Sequence, residues 1–123
     1  MPFSKNIAAP DAACEVVKLA LDAFGGIDIV VNCAAILRDG LVFKSSPEDW
    51  DIVVKNNLSA AYYLINAVTP LMRDQFKNSR GHGDNYNWGR IINIGSTSSF
   101  MGTPLRSSYS VSYTHLRAHE TLL

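Results

Sequence analysis

The chain has 123 residues, 11 basic against 11 acidic side chains for a formal net charge of +0, and 47% hydrophobic residues. This is the composition of one globular domain or part of one, and it excludes a disordered or fibrous chain. Charge balance without like-charge runs gives no electrostatic reason to expect nucleic acid or an anionic membrane as partner. No apolar stretch approaches the roughly 18 residues that span a bilayer, and "MPFSKNIAAPDAA" lacks the apolar core of a secretory signal, so a cytoplasmic protein is expected.

Taken in chain order, Pro10 and Asp11 offer a helix start with Asp11 as cap. Apolar residues then recur at helical spacing through Ala13, Val16, Val17, Ala20 and Phe24 until Gly25 and Gly26 stop the helix. "IDIVVN" (27–32) is short, β-branched and almost wholly apolar, which predicts a strand covered on both faces as in a parallel sheet. The segment 33–45 has no periodicity and reads as a loop. "SPED" supplies Ser46 as cap, Pro47 at the first helical position and Asp49 three residues after the cap. The long helix it opens carries a stripe through Trp50, Val53, Val54, Ala61, Leu64, Ile65, Val68 and Met72, with the amide of Asn57 on the same stripe. Pro70 is expected to kink or shift this helix near its end. The polar stretch 77–88 reads as a surface loop, "RIINIG" (90–95) as a second buried strand, and 96–108 as a loop rich in Ser, Gly and Pro that leads to a helix starting near Tyr109. Cys14 and Cys33 lack metal-ligand spacing and read as small, buried, reduced thiols. The order helix, strand, helix, strand predicts an α/β fold, a partial Rossmann-like doubly wound parallel sheet. Two strands are only a piece of such a sheet, and no Gly-x-Gly-x-x-Gly turn is present.

In open α/β sheets, ligands bind at the carboxyl ends of the strands. Asn32, Ala34 and Ala35 stand at one such end, and Gly95, Ser96 and Thr97 at the other. Small residues there either let a flat ring or sugar approach the backbone or simply permit tight turns. A buried amide such as Asn57 costs on the order of 1 to 3 kcal/mol unless hydrogen-bonded, so it needs a partner, whether a backbone carbonyl, a water or a reacting group. Tyr109 could exchange a proton only if a nearby cation stabilised its phenolate, since a free phenol titrates at about 10. A Ser beside it could polarise a carbonyl. By themselves Ser96 and Tyr109 are a weak signal.

Four blocks, "GIDIVVNCAA", "EDWDIVVKNNLSAAYYLINAVTPLM", "GRIINIGS" and "SSYS", resemble consecutive motifs of the short-chain dehydrogenase/reductase family, and the likeness covers 12–110. The resemblance implies an NAD(P)-dependent oxidoreductase that moves hydride between nicotinamide and a small-molecule alcohol or carbonyl substrate. It implies Asn57, Ser96 and Tyr109 as catalytic: Tyr109 for the proton, Ser96 for the substrate carbonyl, and Asn57 for a helix kink and a water-based proton relay. The family's Asn-Asn-Ala-Gly block falls on Asn32, Cys33, Ala34 and Ala35, which makes Asn32, Ala34 and Ala35 the implied cofactor contacts, with Ala35 crowding where the family has Gly. The loop "AAILRDGLVF" is similar to that of members handling hydroxyacyl thioesters or steroids. The choice between NAD and NADP rests on residues outside this sequence. Family members form homodimers or homotetramers through two long helices, so the Trp50–Met72 helix is implied as an interface.

Four residues after its Tyr the family carries a Lys that lowers the Tyr pKa and binds the nicotinamide ribose; here that position is Tyr113, and no Lys follows Lys77. The resemblance stops at Ser110. His115 and His119, four apart with Glu120 beside the second, superficially suggest a metal pair, but no third ligand is evident. The alternative is that 111–121 looks like the conceptual translation of a transposon-derived adapter used to prepare DNA libraries. The expected organisation is therefore a partial NAD(P)-binding domain over 1–110, with family strands expected before Met1, followed by an extraneous tail over 111–123. Such a chain is expected to be inactive. Two alternatives are a non-catalytic binding or regulatory protein on the same scaffold, and another nucleotide-binding reductase or epimerase using Tyr and Lys.

Overall fold

In the computed structural model, which describes residues 2–78 and 89–117, the chain runs through α1 (Pro10–Phe24), β1 (Ile29–Asn32), α2 (Pro47–Val54), α3 (Ala60–Lys77), β2 (Arg90–Asn93), α4 (Ser98–Met101) and α5 (Ser107–Arg117). The predicted loop within 77–88 lies for the most part outside the described residues. Asp11 does not cap α1: Ala9 is the cap residue, Pro10 takes the first helical position and Asp11 follows within the first turn, where its charge favours the helix dipole. Gly25 ends α1 with φ 75° and its N–H on the Leu21 carbonyl, a left-handed conformation that Gly adopts without a Cβ penalty.

The long helix forms as expected. Ser46 Oγ accepts the Asp49 N–H at 3.0 Å and donates to the Asp49 carboxylate at 3.0 Å. Ser46→Ala is expected to lower stability by about 1 kcal/mol, read as a lower urea midpoint with an unchanged slope. Between α2 and α3 the helix widens into a π turn over Lys55–Ser59, where the Ala60 N–H reaches back five residues to the Lys55 carbonyl. Val53 before it and Ala60, Ala61, Val68 and Met72 beyond it are buried, whereas Trp50, expected on the stripe, is exposed. The helix then passes through the exposed Pro70 to Lys77 without ending.

β1 and β2 pair in parallel, Val30 against Ile91 and Asn32 against Asn93, with the long helix as the crossover between them. Val30, Val68 and Met72 make the main core, with Val17, Ile27, Leu64 and Ile91 packed around it. Two buried amides hold β1 at its ends. Gln75 accepts the Ile27 N–H at 2.8 Å and donates to the Ile27 carbonyl at 2.7 Å, and Asn57 does the same for Ile36 beyond the other end. The expectation of strands covered on both faces is corrected for the described residues: Ile29 is 61% exposed, Val31 53% and Ile92 45%. The physical reason is that the described helices pack on the Val30 and Ile91 side only. Both cysteines are likewise exposed rather than buried.

Candidate functional site

The carboxyl ends of β1 and β2 lie side by side, and the Asn32 Nδ2 donates to the Asn93 Oδ1 at 2.8 Å across them. Above them sits α5. Its entry is pinned to the loop after β1 by the Arg106 guanidinium, which holds the Asp39 carboxylate through Nε at 2.8 Å and a terminal nitrogen at 3.3 Å. The Leu105 carbonyl accepts the Gly40 N–H at 2.8 Å, and Leu105 itself adopts φ 68°, an outlier for a bulky side chain that these flanking contacts maintain.

Asn57 is 2% exposed and its amide is well occupied. The oxygen accepts the Ile36 N–H at 2.8 Å, while Nδ2 donates to the Ile36 carbonyl at 3.0 Å and more distantly to the Ser112 Oγ at 3.4 Å. Ser112 in turn donates to the Tyr109 carbonyl at 2.8 Å. The π turn, the loop after β1 and α5 thus meet at one amide. Asn57 shares a cavity of about 100 Å³ with Asn32 and Ala34; Ala35, exposed beside Ile36, is outside that lining. Ser96 lines a second cavity of about 350 Å³ near Gly95 and Phe100, and its Oγ accepts the Ser98 N–H at 3.2 Å. The sequence read 96–108 as loop, but Ser96 in fact leads into the short α4. Among the described residues no hydrogen bond joins Ser96 to Tyr109.

Tyr109 is half-buried on the second core cluster, formed by Ala61, Tyr113 and Leu116. Its ring lies 4.6 Å from that of Tyr113, tilted by 54°, within the range of favourable aromatic pairs. Burial first, then hydrogen bonding with Tyr109, pushes the Tyr113 phenol up to about 12. At neutral pH this group is an uncharged phenol and supplies no positive field. Among the described residues no cluster of three or more His, Cys, Asp or Glu could hold a metal ion, and His119 and Glu120 lie outside them. No helix among the described residues is long and apolar enough to cross a membrane.

The arrangement of a parallel strand pair, a crossover helix and polar groups at the strand ends agrees with the sequence model described as short chain dehydrogenase, which matches residues 1–117. The chain belongs to the short-chain dehydrogenase family. It is 37% identical over 105 residues to a 3-oxoacyl-[acyl-carrier-protein] reductase of Synechocystis, a match covering 85% of this chain and 38% of that protein. To the peroxisomal multifunctional enzyme type 2 of mouse it is 36% identical over 105 residues, covering 85% of this chain and 13% of that enzyme. A crystal structure of a short chain dehydrogenase from Mycobacterium avium superposes with a TM-score of 0.83 at 27% identity, over 94% of this chain and 39% of that one. The chain thus spans well under half the length of these relatives.

Sequence reasoning missed Asn93, Ser112 and Leu116 at the site and Gln75 at the opposite end of β1. Asn93 was visible as a polar residue closing an apolar strand, opposite Asn32 in register. Gln75 fell one turn beyond the stripe as it was traced. Ser112 and Leu116 were set aside with the tail.

Proposed function

We propose that the chain is part of an NAD(P)-dependent oxidoreductase that transfers hydride between nicotinamide and an alcohol or ketone, and that the chain is inactive as it stands. The observation that carries the second half is Tyr113. It occupies the place of the family's Lys, it is 6% exposed, and it is neutral at physiological pH. The residues beside Asn32 and Ala34 do not fit a nicotinamide ribose. Their cavity of about 100 Å³ is below the roughly 300 Å³ at which small-molecule pockets begin, and no cation faces it among its lining residues. No hydride step is therefore assigned to this chain.

In the whole protein, Tyr109 is the proposed proton donor and acceptor, Ser96 the group that orients the carbonyl, and Asn57 the anchor of the π turn. Asn32, Ala34 and Ala35 are the proposed cofactor contacts. The relatives named as 3-oxoacyl-[acyl-carrier-protein] reductases support a ketone on an acyl group as the substrate; a cytoplasmic homodimer or homotetramer is proposed for the whole protein. Residues 111–123 are proposed as a tail foreign to the family sequence.

The test has two arms. The 123-residue chain is expected to give no saturable quenching of NADH or NADPH fluorescence and no ketone-dependent loss of absorbance at the reduced-nicotinamide band. The gene recovered by sequencing through codons 109 to 113 is expected to encode Lys at 113 and a protein that does both. Turnover by the short chain overturns the reading. A second reading, a non-catalytic binding protein on this scaffold, draws on the packing of Tyr113 and Leu116 into a core cluster. A genomic Tyr codon at 113 in a folded, cofactor-binding protein would favour it.

A further inference from the structure

The two cavities at the strand ends are neighbours. Asn32 borders the first and Asn93 the second, and these residues are register partners joined by a 2.8 Å side-chain hydrogen bond. Parallel strands lie about 4.8 Å apart, so the floor beneath both cavities is one continuous surface. The side chains common to the two walls are those of Tyr113 and Leu116. Both descend from α5, and they are 6% and 4% exposed. The Tyr113 ring is further held against Tyr109.

We infer that Tyr113 and Leu116 form a septum that divides a single cleft built for a flat ring, so that α5 blocks its own ligand site. The cleft would run from Asn32 and Ala34 to Gly95 and Ser96. Ala34 and Gly95 leave room for a ring face, while the amides and the Ser96 hydroxyl offer hydrogen bonds to a polar substituent on its edge. The first part is smaller than a bicyclic ring requires, and the second, at about 350 Å³, has room for a ring but is cut off from the Asn32 amide. The identity of the natural ring rests on the oxidoreductase reading above; the septum does not.

The experiment uses the 123-residue chain and three variants, Tyr113→Ala, Leu116→Ala and Tyr113→Phe, with indole as a ring probe and NADH separately, binding being followed by ligand-observed NMR and far-UV circular dichroism reporting folding. Tyr113→Ala is expected to bind indole about tenfold or more tighter than the unaltered chain, which is one decade of dissociation constant. Tyr113→Phe, which keeps the ring, is expected to match the unaltered chain. Leu116→Ala opens a smaller gap and is expected to give a lesser gain, and it carries the test should Tyr113→Ala fail to fold. Indole binding by the unaltered chain as tight as by the variants overturns the septum, as does a folded Tyr113→Ala or Leu116→Ala protein with no gain. Indole binding without NADH binding upholds the septum and removes support from the nicotinamide reading, so the two ideas fail separately.

Discussion

Replacing Asn57 by Leu is expected to destabilise the fold by about 1 to 3 kcal/mol, because a side chain of similar size fills the space but leaves the half-buried Ile36 N–H and C=O without their partners. Both bonds are short, at 2.8 and 3.0 Å, and the amide is sealed from solvent. The loss is also topological. Ile36 is where the loop after β1 touches the long helix, and the next anchors along that loop are the contacts of Asp39 and Gly40 with Arg106 and Leu105. Urea unfolding checks the magnitude, and hydrogen exchange at the Ile36 amide checks the cause. Asn57→Asp refines the test: it keeps an acceptor for the Ile36 N–H but sets a carboxylate oxygen against the Ile36 carbonyl in a buried place. It is expected to cost at least as much as Leu, with part of the loss recovered at low pH where the acid can donate. A Leu variant as stable as the natural chain would mean that the amide clamp contributes nothing net.

Asn57 also marks how far the sequence could be read. A polar residue on an apolar stripe announced a buried amide, because burial without a partner is costly and the stripe is fixed by helical geometry. Its partner was illegible: Ile36 lies in a segment without periodicity, and only the closed fold brings the two together across 21 residues. The same limit applies to Gln75, whose clamp on Ile27 spans 48 residues. The strands were legible from β-branched runs, yet such runs report only that a surface is apolar; which face the helices cover is set by packing, and Val31 and Ile92 sit on the open one. The stripe of the long helix was right at Val53, Asn57, Ala61, Val68 and Met72 and wrong at Trp50, and constant periodicity could not show the π turn over Lys55–Ser59. At the site, Asn32, Ala34 and Asn57 come to one cavity and Ser96 to another, a division made by Tyr113 and Leu116, which sequence reading placed in an extraneous tail.

The second large effect concerns pH. In the native chain burial and the neighbouring Tyr109 raise the Tyr113 phenol to about 12, whereas in an unfolded chain a tyrosine titrates near 10. The unfolded state therefore releases this proton first as the solution becomes alkaline. Through the window from pH 10 to 12 the native state binds more protons than the unfolded one, and stability falls by about 1.4 kcal/mol for each pH unit. Below pH 10 the contribution is complete, and above 12 it is gone. Tyr113→Phe removes this titration while leaving the other tyrosines in place, so its stability is expected to fall less steeply across the window; urea midpoints measured at intervals from pH 9 to 12 for both proteins give the two slopes. The sign bears on catalysis. A site that uses a phenol as a proton acceptor near neutral pH must stabilise the phenolate, and the surroundings of Tyr113 do the reverse by favouring the neutral ring. A matching slope in the Phe variant would show that the ring is hydrated enough to ionise normally, and that the neutral, buried character that makes Tyr113 a poor substitute for a cation does not hold in solution.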